Sequence, residues 1–329
     1  MPKEVRVPAW RLNSDHGFYI FTAFLVAFPI FSQDPYILNM FIISLIFSIL
    51  AVSWNFICGY TGIFTFGHQA FFGLGAYVSA LLSMKLNVSP WFGLLLGGIA
   101  SGAISFFIGL PCLRLRAAPY IAIMTLAFSE ILRITCMNMV NITRGEMGLW
   151  GIPNFTDITL GSYTISFGGA DRVPYYYLIL IVFILMMVSL SAVLKRPIGL
   201  AFKSIRDSQE AAESLGINVT YYKLLAFVGS AVFAGVVGSF YAHYILILTP
   251  TSLFNLGIMV EIMAMTLMGG LGTFMGPVLV AFGLTLGLEY LRFLGDYRFI
   301  TYGILLILVM LFMPQGIGKK IFKDRELAN

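Results

Sequence analysis

The chain has 329 residues, of which 59% are hydrophobic and 11% charged, with a net charge of +5 and a mean hydropathy of +0.90. An ordinary soluble domain carries about 25% charged residues, so the composition excludes a soluble globular protein and points to a polytopic membrane protein. The positive balance is what loops on the inner side of a membrane supply, and it gives no reason to expect nucleic acid as a partner.

In chain order, Met1 to Arg11 has no apolar core, so residues 1–17 are expected to form a cytoplasmic N-terminal segment rather than a cleavable signal. Between Asp34 and Lys85 lie 50 residues without Asp, Glu, Lys or Arg, enough for two spans of about 20 residues. Similar gaps cover 86–113, 173–194, 224–260, 262–288 and 299–318. Such runs exceed the ~10-residue alternating strands of a membrane barrel. The expected fold is all-α: one transmembrane domain over 1–329, a helical bundle of about ten spans. They are placed at 18–32, 36–57, 66–84, 90–112, 118–139, 174–194, 222–247, 255–269, 276–293 and 299–313. With the N-terminus inside, fourteen of the twenty Lys and Arg fall on inner segments, which puts both termini, the 195–221 loop and the 314–329 tail in the cytoplasm. The long 140–173 loop then faces outward, and Asp157–Leu160, Gly161-Ser162 and Tyr163–Phe167 read as a small hairpin within it.

Two links are too rich in Gly and Thr for straight helix, Gly59–Gln69 and Gly269–Pro277, and they share a loose G-x-x-T-F pattern. Paired interrupted segments point to a substrate path in transporters, and close packing that requires Gly is the alternative reading. The path candidates are Thr65, Gly67, His68 and Gln69, with Gly270, Gly272 and Thr273 second. His68 also reads as a hydrogen-bonded structural residue. Small-residue stripes, Gly93/Gly97/Ser101 and Ser230/Ala234/Gly238/Ala242, predict closely packed helices.

Catalytic signals are absent from the sequence. The intramembrane carboxylates Glu130, Glu261 and Glu289 stand singly, His16, His68 and His243 are scattered, and no metal-ligand spacing occurs; the cysteines Cys58, Cys112 and Cys136 read as small buried hydrophobes. An enzyme is therefore not expected. Glu130 and Arg133 are spaced i, i+3 for an ion pair, which serves the bundle or a transport path equally, whereas Glu261 has no cation near it in sequence.

The longest polar run is Gly199–Lys223. Asp207 and Glu210 read as a capping box opening a short helix, and Gly216 as its left-handed terminator. Two turns of helix are not stable alone in water, so the run reads as a cytoplasmic knob offered to a partner protein through Arg206, Asp207, Glu210, Ala211, Ala212, Gly216 and Ile217.

Taken together, these segments resemble the permease subunits of ABC importers for branched-chain amino acids. The resemblance covers roughly 36–318 and is carried by Asn55–Leu82, Gly109–Arg133, Gly199–Ala242 with its Glu210-Ala211-Ala212 and Gly216, Glu261–Arg292, and Leu305–Gly316. It departs at Ala117-Ala118-Pro119 and at Arg144–Gly148. The resemblance implies a multi-pass protein of a prokaryotic cytoplasmic membrane, in contact with lipid, that moves branched-chain or other small amino acids and holds no cofactor itself. Its implied partners are a second, related permease, two cytoplasmic ATPases that bind ATP and Mg, and an extracytoplasmic solute-binding protein. Urea or a short amide as solute, and an ion-coupled carrier using Glu130 or Glu261, are the alternatives.

Overall fold

The computed structural model describes residues 12–114, 118–160, 163–169 and 171–290, with isolated positions between 303 and 323. The expected tenth span, 299–313, and the 314–329 tail fall largely outside the described residues. The described helices are α1 (Ser14–Phe31), α2 (Pro35–Thr61), α3 (His68–Leu86), α4 (Pro90–Cys112), α5 (Ala118–Asn138), the short α6 (Val140–Thr143), α7 (Val173–Leu194), α8 (Pro197–Asp207), α9 (Gln209–Ser214), α10 (Val219–Ile245), the short α11 (Pro250–Leu253), α12 (Leu256–Gly269) and α13 (Gly276–Tyr290). Several helix starts are capped by side chains. The Asp34 carboxylate accepts from Tyr36 N–H with Pro35 in the first turn, and Asn255 Oδ1 accepts from Gly257 N–H at 2.7 Å.

Among the described residues, six helices are long and apolar enough to cross a membrane: 35–61, 90–112, 119–138, 173–194, 219–245 and 250–269. The helices at expected spans one and nine, Gly17–Phe31 and Gly276–Tyr290, are apolar but shorter. At expected span three lies α3, which begins with His68 and Gln69 and carries Lys85 in its last turn.

The tightest packing joins α3, α4 and α10, and the small-residue stripes make it. A Cβ on Gly75 would overlap the backbone of Gly235, one on Gly238 the carbonyl of Phe72, and one on Gly97 the Ser239 hydroxyl. Serines tie the same contacts: Ser239 Oγ donates to Gly75 O and Ser101 Oγ to Phe71 O, both at 3.0 Å. Hydrocarbon gives helices no hydrophobic drive to associate, so contact this close relies on dispersion and hydrogen bonds between backbones that nearly touch.

The two long connections sit at opposite ends of α10. At its C-terminal end His243 Nδ1 lies 2.7 Å from Pro153 O, and Leu149–Trp150 pairs with Ile247–Leu248, holding the 140–173 loop. The expected hairpin is there, with Ile158 opposite Ile165 and Leu160 opposite Tyr163, and the Asp157 carboxylate accepts from Phe167 N–H at its base. At the N-terminal end of α10 sits the polar run, and here two readings need correction. Within the expected 195–221 loop, 197–207 is the helix α8, which buries Ala201, Phe202 and Ile205. Because α8 continues through Asp207, that residue does not cap the next helix; Ser208 does, accepting from Ala211 N–H at 3.3 Å. The terminator holds: Gly216 has φ +80° and donates to Glu213 O, while Ile217 N–H donates to Ala212 O, a Schellman pair.

Gly75→Ala should lower the detergent melting temperature of the purified protein, since the added methyl forces α3 from α10 at about 1–3 kcal/mol. Gly283→Ala, where a Cβ meets nothing, should leave it unchanged or slightly raised; equal effects would show that close packing of α3 on α10 does not matter.

Candidate translocation and coupling site

Both interrupted segments are fastened to one stretch of α2, Ser53-Trp54-Asn55. A helix break inside a membrane frees backbone groups that must find partners within the protein, and three consecutive residues of α2 supply them. Ser53 Oγ lies 2.7 Å from His68 Nε2, Trp54 Nε1 donates to Thr65 O at 3.1 Å, and the Asn55 amide closes a two-point bridge to the other break. Its Oδ1 accepts from Gly272 N–H and its Nδ2 donates to Thr273 O, each at 2.8 Å. Thr273 in turn bonds back to Gly270 O at 2.7 Å.

From the other side α5 closes on the first break. Thr125 Oγ1 accepts from Phe66 N–H at 3.0 Å, a Cβ on Gly67 would press on the Thr125 backbone, and Gln69 Nε2 donates to Ser129 Oγ at 3.0 Å. The path candidates Thr65, His68, Gln69 and Thr273 are each at most 2% exposed, and Gly67 and Gly270 are buried as well, while Gly272 is half-buried. One polar atom is left over: Gln69 Oε1 is buried with no hydrogen-bond partner among the described residues. The sequence reading missed Ser53, Asn55, Thr125 and Ser129. Thr125 and Ser129, four apart, form with Ile121 the buried stripe of an otherwise exposed α5, a spacing that could have marked them.

The polar run meets the same breaks from below. The Arg206 guanidinium on α8 donates from Nη1 to Gly59 O at 2.9 Å, on the last turn of α2. Its aliphatic stem covers Gly62, and a Cβ on Gly272 would lie 2.7 Å from Nη1, so one side chain touches both interrupted segments. Phe202 packs edge-on against Phe56 with ring centroids 5.5 Å apart. Ser208 is the one residue between α8 and α9, and Ile205, Ala212 and Val219 form a small cluster that holds α8, α9 and the start of α10 together. Asp207 contacts Arg206 at 3.5 Å from the exposed side. On α9, Glu210 and Ala211 are exposed and Ala212 is buried; just past it Gly216 is exposed, Ile217 half-buried, and Leu215 offers an apolar side chain that is 77% exposed.

Glu130 and Arg133 form the expected ion pair at 2.8 Å, half-exposed on α5. Glu261 is half-buried on α12. Among the described residues no group of three or more His, Cys, Asp or Glu is placed to hold a metal ion.

Comparison with known proteins places this geometry in a family. A family model described as the branched-chain amino acid transport system permease component matches residues 36–313. The chain is 32% identical over 290 residues to the high-affinity branched-chain amino acid transport system permease protein LivM of Salmonella typhimurium, covering 83% of this chain and 68% of that protein. To LivM of Escherichia coli it is 31% identical over 303 residues, 87% of this chain and 71% of that one. Similarity extends to the permease protein LivH of the same transport system in Salmonella typhimurium, at 26% identity over 82% of this chain and 90% of LivH. No solved structure matches the chain significantly. The chain belongs to the branched-chain amino acid transport system permease family.

Proposed function

We propose that this chain is one of two related permease subunits of an ATP-driven importer in the cytoplasmic membrane of a prokaryote, crossing it about ten times with both termini inside. It moves branched-chain or similarly small amino acids delivered by an extracytoplasmic binding protein, and two cytoplasmic ATPases that hold ATP and Mg do the hydrolysis. The observation that carries the reading is the Arg206 hydrogen bond to Gly59 O: it joins the α8–α9 elbow, which presents an exposed capped helix, to the backbone at the first helix break. Similarity to both LivM and LivH supports a pair of permeases.

In this mechanism the ATPases grip α9 and displace it with α8 as one body, since a single residue and a shared apolar cluster join them. Arg206 transmits the displacement to the end of α2 and to Gly272, loosening the bonds that close the two breaks around Ser53–Asn55. The ATPases' unequal affinity for the two positions of α9 supplies the bias. Gln69 Oε1 is a buried acceptor suited to a passing ammonium group, and the aromatic and aliphatic walls of the bundle suit an aliphatic side chain. The half-exposed Glu130–Arg133 pair lies on a helix otherwise poor in buried residues. A charge pair facing hydrocarbon is costly, so this face of α5 meets the partner permease. An ion-coupled reading is less well supported, because Glu130 is already engaged by Arg133.

Glu210→Lys and Leu215→Asp change exposed positions and should leave thermal stability unchanged while lowering ATPase co-purification and uptake by about tenfold or more, the scale of an interface hot spot. Wild-type values for both would retire α9 as the coupling surface. Gln69→Leu should reduce transport about tenfold, the worth of one hydrogen bond to a charged group, with ligand affinity of the binding protein untouched. Unchanged uptake kinetics would remove Gln69 from the path.

A further inference from the structure

A cavity of about 640 Å³ lies where the hairpin of the 140–173 loop meets the start of α7, a volume within the ~300–1,000 Å³ of ligand pockets. One wall is the hairpin. Ile158 and Ile165 are paired across its two strands, so their side chains leave the same face, and both line the cavity. The opposite wall is one stripe of α7, Pro174, Leu178 and Ile181, and Trp91 and Phe167, with ring centroids 5.5 Å apart, join the two. The apolar lining is accessible rather than core: Ile165 and Ile181 are 40% and 54% exposed, and Ile158 and Leu178 are half-buried.

The cavity is polar at one end only. Ser166 and Asp171 come from the loop, before α7 begins, while Ile181 lies about two helical turns beyond Val173. Further along the same stripe Leu185 and Val188 are 61% and 54% exposed. The apolar lining therefore runs without interruption onto the open face of a 22-residue helix long enough to cross hydrocarbon. Trp91 and Tyr177, both at the cavity, are aromatics of the kind that marks a membrane–water boundary. Their polar tips are engaged by protein: Trp91 Nε1 donates to Thr156 Oγ1 at 3.0 Å and the Tyr177 hydroxyl to Val26 O at 3.2 Å. Charge at the mouth is negative. Asp171 Oδ1 accepts from Val173 N–H at 2.9 Å, and Asp157 takes the Ser166 hydroxyl at 3.2 Å. The neighbouring cation, Arg172, is turned away over the Tyr244 ring.

We propose that this cavity binds one phospholipid with an ammonium headgroup, of the phosphatidylethanolamine type. An acyl chain lies between the Ile158/Ile165 pair and α7 and continues along Leu185 and Val188, and the ammonium meets Asp171. An amphiphile matches both ends of the cavity. A soluble protein docked on the hairpin would meet the polar end alone and leave the stripe from Ile181 to Val188, at hydrocarbon depth, uncovered. The carboxylates select the headgroup, since they attract an ammonium and repel a net anionic lipid. The lipid also gives the hairpin support, because two isolated strands are marginal in water and the acyl chain supplies an apolar partner for their isoleucine pair. The inference requires that α7 cross the membrane and is independent of which solute is moved.

Photolabelling of the full-length protein tests this, in vesicles of phosphatidylethanolamine and phosphatidylglycerol in equal amounts. A trace of one lipid or the other carries a photoactivatable group midway along an acyl chain. The phosphatidylethanolamine probe should label 158–166 and 174–181 more strongly than 95–99, an exposed apolar stretch of α4 that serves as the bulk-lipid reference. The phosphatidylglycerol probe should label the cavity about tenfold less, the worth of one hydrogen bond to a charged group. Ile165→Trp, at an exposed position outside the spans, fills the cavity and should abolish the excess. Asp171→Asn, which keeps the acceptor for Val173 N–H, should make the two probes equal. Hydrogen exchange within 158–167 reads the same site without a variant, and should be slower in phosphatidylethanolamine vesicles than in phosphatidylglycerol alone. Labelling no stronger than at 95–99, equal labelling of the wild type by both probes, an excess that survives Ile165→Trp, or exchange indifferent to the lipid would each overturn the proposal. Cross-linking of the cavity to a solute-binding protein in place of lipid would do the same.

Discussion

A helix that breaks inside a membrane exposes backbone N–H and C=O groups where no water compensates them, at several kcal/mol for each group left unpaired. Among the described residues two such interruptions, after α2 and after α12, are both bonded to the same three residues. Ser53, Trp54 and Asn55 hold His68, Thr65, Gly272 and Thr273, so neither break is closed independently of the other. The coupling is geometric: a shift of α2 along its axis cannot relax one set of bonds and keep the other. The Asn55 amide is suited to the position, since one rigid group both accepts and donates to neighbouring backbone atoms of a single turn.

Around these breaks the bundle is packed unevenly. The α3–α4–α10 block is held by backbone contacts that tolerate no added carbon, and close-packed interfaces of this kind occupy discrete arrangements rather than sliding continuously. At one end of α10 the block carries the 140–173 loop through His243 and Ser79, which lies 2.8 Å from His243 Nε2. At the other end it carries α9 through Lys223 and Val219. Helix α9 is thus tied to this block on one side and, through the single residue Ser208, to α8 on the other.

The helical fold was legible because most apolar runs are long and several starts and stops have a local cause: Asp34 with Pro35, Gly62 after Thr61, Gly216 after the polar helix. The stripes at Gly93/Gly97/Ser101 and Ser230/Ala234/Gly238/Ala242 were legible for the same reason, as a spacing of four needs no knowledge of the partner. What the spacing withheld was which backbone they meet. Helix α8 was readable in principle, since Ile198, Ala201, Phe202 and Ile205 repeat at helical intervals after Pro197, but the charges between them look like loop. Its presence moved the cap from Asp207 to Ser208, because a residue in the last turn of one helix is not free to open the next. Asn55 was not legible at all: a lone amide in an apolar span says that a partner exists, and the partner is more than 200 residues away.

Arg206 is the side chain that links the α8–α9 elbow to both interrupted segments. Nη1 of its planar guanidinium, one of five donors in a fixed fork, bonds Gly59 O and faces Gly272, while the aliphatic stem covers Gly62. The glycines at the two contacts leave the room it needs, since a side chain at Gly272 would take the space of Nη1. The two breaks and the elbow thus share one rigid polar connector, with an acid, Asp207, on its solvent side to hold its charge in place. In the coupling proposed above, a displacement of α9 that keeps the α8–α9 joint intact must either break the bond to Gly59 O or move the end of α2 with it.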